Sequence, residues 1–155
     1  MKNLIGLEQQ PTNELVEELN ALLADYQVLY MNTRGYHWNI QGKQFFELHV
    51  KFEEMYTDLQ LKVDELAERI LTLGARPNHT FSQYLALSEI NEHKDASRAE
   101  DCVKGLLDAF QLLITKQRGI AEKAAEIGDE GTVALMSDYI REQEKTTWML
   151  NAYLQ

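Results

Sequence analysis

Cysteine and proline are scarce in this 155-residue chain: there is one of the first, Cys102, and two of the second, Pro11 and Pro77. A lone thiol excludes an intrachain disulfide and reads as a protein of the reducing cytoplasm. Few prolines leave long stretches without a helix breaker. Basic residues are also few. Lys and Arg number 15 against 25 Asp and Glu, for a formal net charge of -10. Such a surface repels nucleic acid and anionic membrane and draws cations. No apolar run is long enough to span a bilayer. The opening MKNLIGLEQQPTNE lacks the charged-then-apolar pattern of a secretion signal. Low-complexity tracts and solenoid-period repeats are missing too. These absences leave a single domain over residues 1–155, with residues 1–11 as a short N-terminal tail.

What is present is helical periodicity. Four long segments show apolar residues in steps of three and four. The first runs from Thr12 to Asn39, with Leu15, Leu19, Leu22, Leu23, Tyr26, Leu29 and Tyr30 on one face and Pro11 at its boundary. The second runs from Gln44 to Leu73, with a stripe of Leu48, Phe52, Met55, Leu59, Val63, Leu66, Ile70 and Leu73. Gly74 stands where a C-terminal cap belongs. The short join IQGK makes these two segments antiparallel neighbours. The third runs from Ser97 to Ile127, opening on a capping-box pattern, Ser97 to Glu100. The fourth runs from Glu130 to Leu154, with Asp129 as N-cap. The long middle connection holds TFSQYLAL, enough for one short extra helix. The fold class is therefore all-α, a four-helix bundle of ferritin-like connectivity.

The stretch GYHWNIQGKQFFELHVKFEEMY carries His37 and His49 on either side of a glycine turn, with Glu53 one helical turn after His49. At about 100° per residue, His49, Glu53, Asp64 and Glu68 fall at roughly 0°, 40°, 60° and 100° on the second helix. They form one stripe beside the apolar one. Imidazole and carboxylate donors suit iron, manganese or zinc. Yet Glu53 and Asp64 lie about 16 Å apart along a helix axis, so one chain cannot wrap them round one ion. A twofold axis between residues 58 and 59 resolves this. It sets His49 against Glu68 of a second copy, and Glu53 against Asp64 of that copy, making two identical sites. The turn at Gly42 and Lys43 folds His37 back beside His49. Taken singly, each of these residues is an ordinary packed histidine or solvated carboxylate; their joint spacing is what points to a metal.

The same stretch, together with DELAERILTLGARP and the closing EKTTWMLNAYL, resembles the Dps-like miniferritins over nearly the whole chain. The resemblance implies a ferritin-like four-helix bundle with a short helix in the middle connection. It implies dimers that build a hollow dodecameric shell. The implied activity is that of a ferroxidase, oxidising Fe(II) with hydrogen peroxide in preference to oxygen. Ferric mineral is then stored inside, which limits oxidative damage. The implied ligands are His37, His49 and Glu53 of one chain with Asp64 and Glu68 of its partner, in a di-iron or mono-iron site that zinc or manganese could also occupy. Glu53 departs from the family, where Asp is common. Trp38 is implied to lie beside the site as an electron donor or radical quencher. An ordinary ferritin is set aside because its Glu-x-x-His pairs do not occur here.

An entry pore near the start of the last helix is implied at Glu126, Asp129 and Glu130, although Ala134 stands where the family often has Asp. Asp129 reads equally as a plain N-cap. His79 and His93 read as solvated, and Cys102 as core or surface filler. Two other functions stay open: a DNA-binding nucleoid protein and a metal-buffering bundle without ferroxidase activity. The first is disfavoured because DNA-binding members carry Lys-rich tails, whereas Lys2 is the single basic residue in the first fourteen positions. With a pI near 4.8, the protein is expected to leave plasmid DNA unshifted in a gel at pH 7 with chelator present. A salt-sensitive shift there would contradict that expectation.

Overall fold

The structure, a computed structural model, describes residues 1–155. Five helices follow one another: α1 (Gln9–Asn39), α2 (Phe45–Thr72), α3 (Phe81–Leu87), α4 (Ala99–Glu126) and α5 (Glu130–Leu154). The four long ones form the bundle, and α3 is the short helix of the middle connection. Helix α1 packs along α2, and α4 along α5. The predicted α2 stripe is buried from Leu48 to Leu73, with Val63 half-buried. No helix is long and apolar enough to cross a membrane.

The helix ends show where local chemistry decides. Helix α1 begins at Gln9, ahead of the expected Thr12. Pro11 then sits in the first turn, where its missing N–H would have had no partner in any case. The preceding residues make their own hydrogen bonds. Asn3 accepts hydrogen bonds from the Ile5 and Leu7 N–H groups and donates to the Leu73 carbonyl at 3.3 Å. The expected capping box at Ser97 does not form. Helix α4 starts one step later, from Arg98, with no side-chain cap. The backbone there is drawn into an extended bridge, the Gln41 N–H donating to the Ser97 carbonyl at 2.9 Å. A capping box forms instead at α3, between Thr80 and Gln83. These two bond reciprocally at 3.1 and 3.2 Å.

Helices α2 and α4 stop in the same way. Gly74 has φ +90° and Gly128 has φ +76°. After α2, the Gly74 N–H bonds Leu71 O and the Ala75 N–H bonds Ile70 O. After α4, Gly128 bonds Ala125 O and Asp129 bonds Ala124 O. Each is the paired closure of a Schellman motif, which needs a left-handed residue. Gly74→Ala is expected to destabilise by about 1–2 kcal/mol, the cost of placing a Cβ in that conformation. Gly119→Ala, inside α4 with open space at its Cα, should instead stabilise by about 0.5–1 kcal/mol. Denaturant titration of both variants checks the contrast.

Candidate metal centre

The α1–α2 turn brings His37 and His49 face to face. Helix α1 ends at Asn39, and the Gln41 N–H turns away to Ser97. The His37 carbonyl thus loses its next helical donor, and His49 Nδ1 takes that place at 2.7 Å. Reciprocally, His37 Nδ1 lies 2.6 Å from the His49 carbonyl. A carbonyl can only accept, so both Nδ1 atoms carry protons. In the neutral ring the lone pair is then on Nε2, the form in which imidazole binds a metal. The rings stack at 3.8 Å with an 11° tilt. Phe45 covers the other face of His49, and Tyr56 meets His37 edge-on. His37 is only 8% exposed.

Glu53 completes this end. Its Oε1 is 3.9 Å from His37 Nε2, and the Tyr56 hydroxyl donates to it at 3.4 Å. The carboxylate remains largely in solvent. Three turns further along α2, Asp64 and Glu68 form a second cluster. Their mutual hydrogen bond, then their like charge, holds the Glu68 carboxyl above its ordinary range. The two clusters are apart, as the helix rise requires. No three His, Cys, Asp or Glu side chains of one chain gather closely enough to hold an ion. Between the clusters α2 exposes Leu61. It lines a groove of about 580 Å³ with Gln27, Tyr30, Gln60, Val63 and Asp64.

Comparison with known proteins matches this architecture. A profile of the ferritin-like domain matches residues 16–155. The chain is 49% identical over 148 residues to the DNA protection during starvation protein of Porphyromonas gingivalis, covering 96% of this chain and 93% of that one. The crystal structure of a Dps protein from Vibrio cholerae O1 superposes with TM-score 0.98 at 65% identity, covering 99% of this chain and 97% of that one. It is described as a member of the ferritin-like diiron-carboxylate superfamily. Dps from Staphylococcus aureus superposes with TM-score 0.89 at 34% identity over 92% of this chain and 96% of that one. The chain is a Dps-like miniferritin.

In this miniferritin the bundle centre is closed to metal by its own side chains. Tyr26 of α1 donates to Gln117 of α4 at 2.5 Å, Gln117 to Gln143 of α5 at 2.8 Å, and Gln143 back to Tyr26 at 2.6 Å. All three are buried. The ring is neutral and mutually satisfied, with no carboxylate to offer an ion. The carboxylates and imidazole of the kind that could hold a metal lie instead on the outer stripe of α2.

Several neighbours of the centre escaped the sequence reading. Arg34 lies one turn before Trp38, its guanidinium 5.1 Å from the Trp38 ring, 4.4 Å from Tyr56 and 5.7 Å from Tyr30. Helical spacing of residues 30, 34 and 38 could have signalled the contact. Trp38 itself is 58% exposed. His93, read as solvated, turns Nδ1 inward to the buried Tyr36 hydroxyl at 2.6 Å; no spacing rule links those two. His79 is exposed, and Cys102 is core, burial raising its thiol to about 11.

Of the three pore candidates, Glu126 and Glu130 are exposed and Asp129 is buried. Asp129 accepts from the Thr132 N–H at 3.0 Å and from its hydroxyl, and pairs with Arg69 at 2.6 Å. This is the geometry of an N-cap whose oxygens are already engaged. Asp129→Ala should cost about 0.5–2 kcal/mol in denaturant titration. Glu126→Ala should shift stability by less than about 0.5 kcal/mol. Equal effects would show the cap to be idle.

Proposed function

We propose that two copies of this chain pack α2 antiparallel about a twofold axis between residues 58 and 59, completing two ferroxidase sites. Each site takes His37, His49 and Glu53 from one chain and Asp64 and Glu68 from the other. The observation that carries this is the locked imidazole pair: both rings are held by their Nδ1 atoms, with His37 Nε2 turned to Glu53, on a chain that supplies no further ligand there. The groove exposing Leu61 lies between the two clusters, where such a contact would cover it.

In this reading Fe(II) is the substrate. The imidazoles and carboxylates bind it, and the carboxylates balance the charge gained on oxidation. Hydrogen peroxide, in preference to oxygen, accepts one electron from each of two Fe(II) ions and leaves as two hydroxides. The ferric product is stored as mineral in a dodecameric shell built from the dimers, with Glu126 and Glu130 as candidate lining of its entry pore. Iron storage is the general activity of the ferritin-like family, and the single unpaired cysteine fits a cytoplasmic setting. Protection of DNA, for which the relatives are named, would here come from removing iron and peroxide together. The net charge of -10 disfavours contact with phosphate.

Complementation tests the shared site. One variant carries His37→Ala with His49→Ala, the other Asp64→Ala with Glu68→Ala, and each alone should be nearly inactive. In a mixed dimer one site regains all five ligands and the other keeps only Glu53. Co-expression is expected to recover part of the peroxide-dependent Fe(II) oxidation, with native mass spectrometry verifying mixed shells. Mixed shells as inactive as their parents would sink the proposed axis.

A further inference from the structure

We propose that Tyr36 and His93 form a redox pair, in which Tyr36 gives an electron to a peroxide-derived oxidant at the adjoining centre while its phenol proton passes to His93. The inference rests on the ferroxidase reading above. Tyr36 directly precedes His37, and its ring packs at 5.8 Å against Phe52, which directly precedes Glu53. The phenol is thus one residue along the backbone from His37, and its stacking partner is one residue from Glu53. On its other side the Tyr36 hydroxyl meets His93 Nδ1 at 2.6 Å, the rings edge-on at 5.4 Å. Tyr36 is buried, 2% exposed, so that imidazole is the base at hand.

The surroundings are built to hold this contact. The His93 N–H donates to Asn32 Oδ1 at 2.9 Å, and the Asn32 amide donates to Asn91 O. Helix α4 presents Gly105 to the pair. A Cβ there would run into the Tyr36 hydroxyl and come within 2.9 Å of His93 Nδ1. His93 also lines a groove of about 340 Å³ with Glu89, Glu92 and Asp108. Those carboxylates can take the proton onward to solvent. Trp38, by contrast, sits in solvent on the opposite flank.

The chemistry balances. When a single Fe(II) reduces peroxide by one electron, the products are hydroxide and a hydroxyl-radical equivalent. Tyr36 supplies the second electron, which turns that radical into hydroxide. The phenol O–H bond breaks and its proton binds His93 Nδ1. A neutral tyrosyl radical and an imidazolium remain. The pair thereby completes a two-electron reduction when one of the two electrons is missing.

The test uses full-length protein loaded anaerobically with fewer Fe(II) ions than sites, mixed with an excess of hydrogen peroxide and freeze-quenched. Electron paramagnetic resonance reads radical yield per ferric ion formed, and ring-deuterated tyrosine identifies the radical. A tyrosyl signal is expected in the parent. It should be lost in Tyr36→Phe and strongly reduced in His93→Gln, whose amide can accept a hydrogen bond but is no base. Circular dichroism and sizing check that Tyr36→Phe folds and assembles. Should it not fold, His93→Gln and His93→Ala, at an exposed side chain, carry the test. A tyrosyl signal that survives Tyr36→Phe, or is indifferent to His93, overturns the pair. So does Fe(II) oxidation with no tyrosyl signal. If the parent oxidises no Fe(II), the ferroxidase reading falls instead. Flash oxidation of metal-free protein by a ruthenium(III) complex then judges the pair alone. A Tyr36 radical whose yield depends on His93 upholds it, and independence overturns it.

Discussion

Two crossed hydrogen bonds, each from an imidazole to the other histidine's backbone carbonyl, set the geometry on which the centre depends. They do three things at once. They staple the last turn of α1 to the first turn of α2. They satisfy a carbonyl that the helix end leaves without its usual partner. They also commit a proton to each inner nitrogen, which turns His37 Nε2 toward Glu53. The short turn through Gly42 makes this possible, because a longer loop would let the two helix ends slide past one another. The stacked Phe45 and edge-on Tyr56 then restrict the rings' rotation.

The same economy governs where charge goes. The bundle interior uses neutral amides and a phenol for its one central polar network. Charged groups that enter the protein are paired as they do so. Asp25, fully buried, meets Lys116 at 2.5 Å, and Lys116 also reaches Glu89. Lys62 sits between Asp58 and Glu142. An unpartnered charge in those positions would cost several kcal/mol. The carboxylates of the α2 stripe have no such partners. A hydrogen bond with Asp64, and then the like charge of that neighbour, raises the Glu68 carboxyl.

Much of this was legible in residue spacing. The α2 stripe from Leu48 to Leu73 and the stop at Gly74 follow from steps of three and four and from one residue able to take positive φ. The separation of Glu53 from Asp64 follows from helix rise alone. What spacing could not supply was contact between segments distant in sequence. The capping-box pattern at Ser97 is locally sound, yet tertiary pairing with Gln41 overrides it. Asp129 read equally as cap or pore; its buried contact with Arg69, sixty residues away, commits its oxygens. His93 is exposed, as its polar segment suggests, but its contact with the Tyr36 hydroxyl joins residues fifty-seven apart in sequence.

The middle connection carries that contact. It is long enough to be a passive link between the two helix pairs, but it is fastened at several points to α1. The Glu89 N–H and the Ser88 hydroxyl donate to Asp25. Asn32 holds Asn91 and His93 by their backbones. Asp25, Asn32 and Tyr36 recur at intervals of seven and four on α1, so these contacts share a face of the helix. The Asp25–Lys116 pair brings α4 to the same face. This row of bonds fixes the lateral position of the C-terminal half of α1, and with it the height at which His37 meets His49. Ferritin-like connectivity thus does more than cross the bundle. It braces the helix end that carries His37.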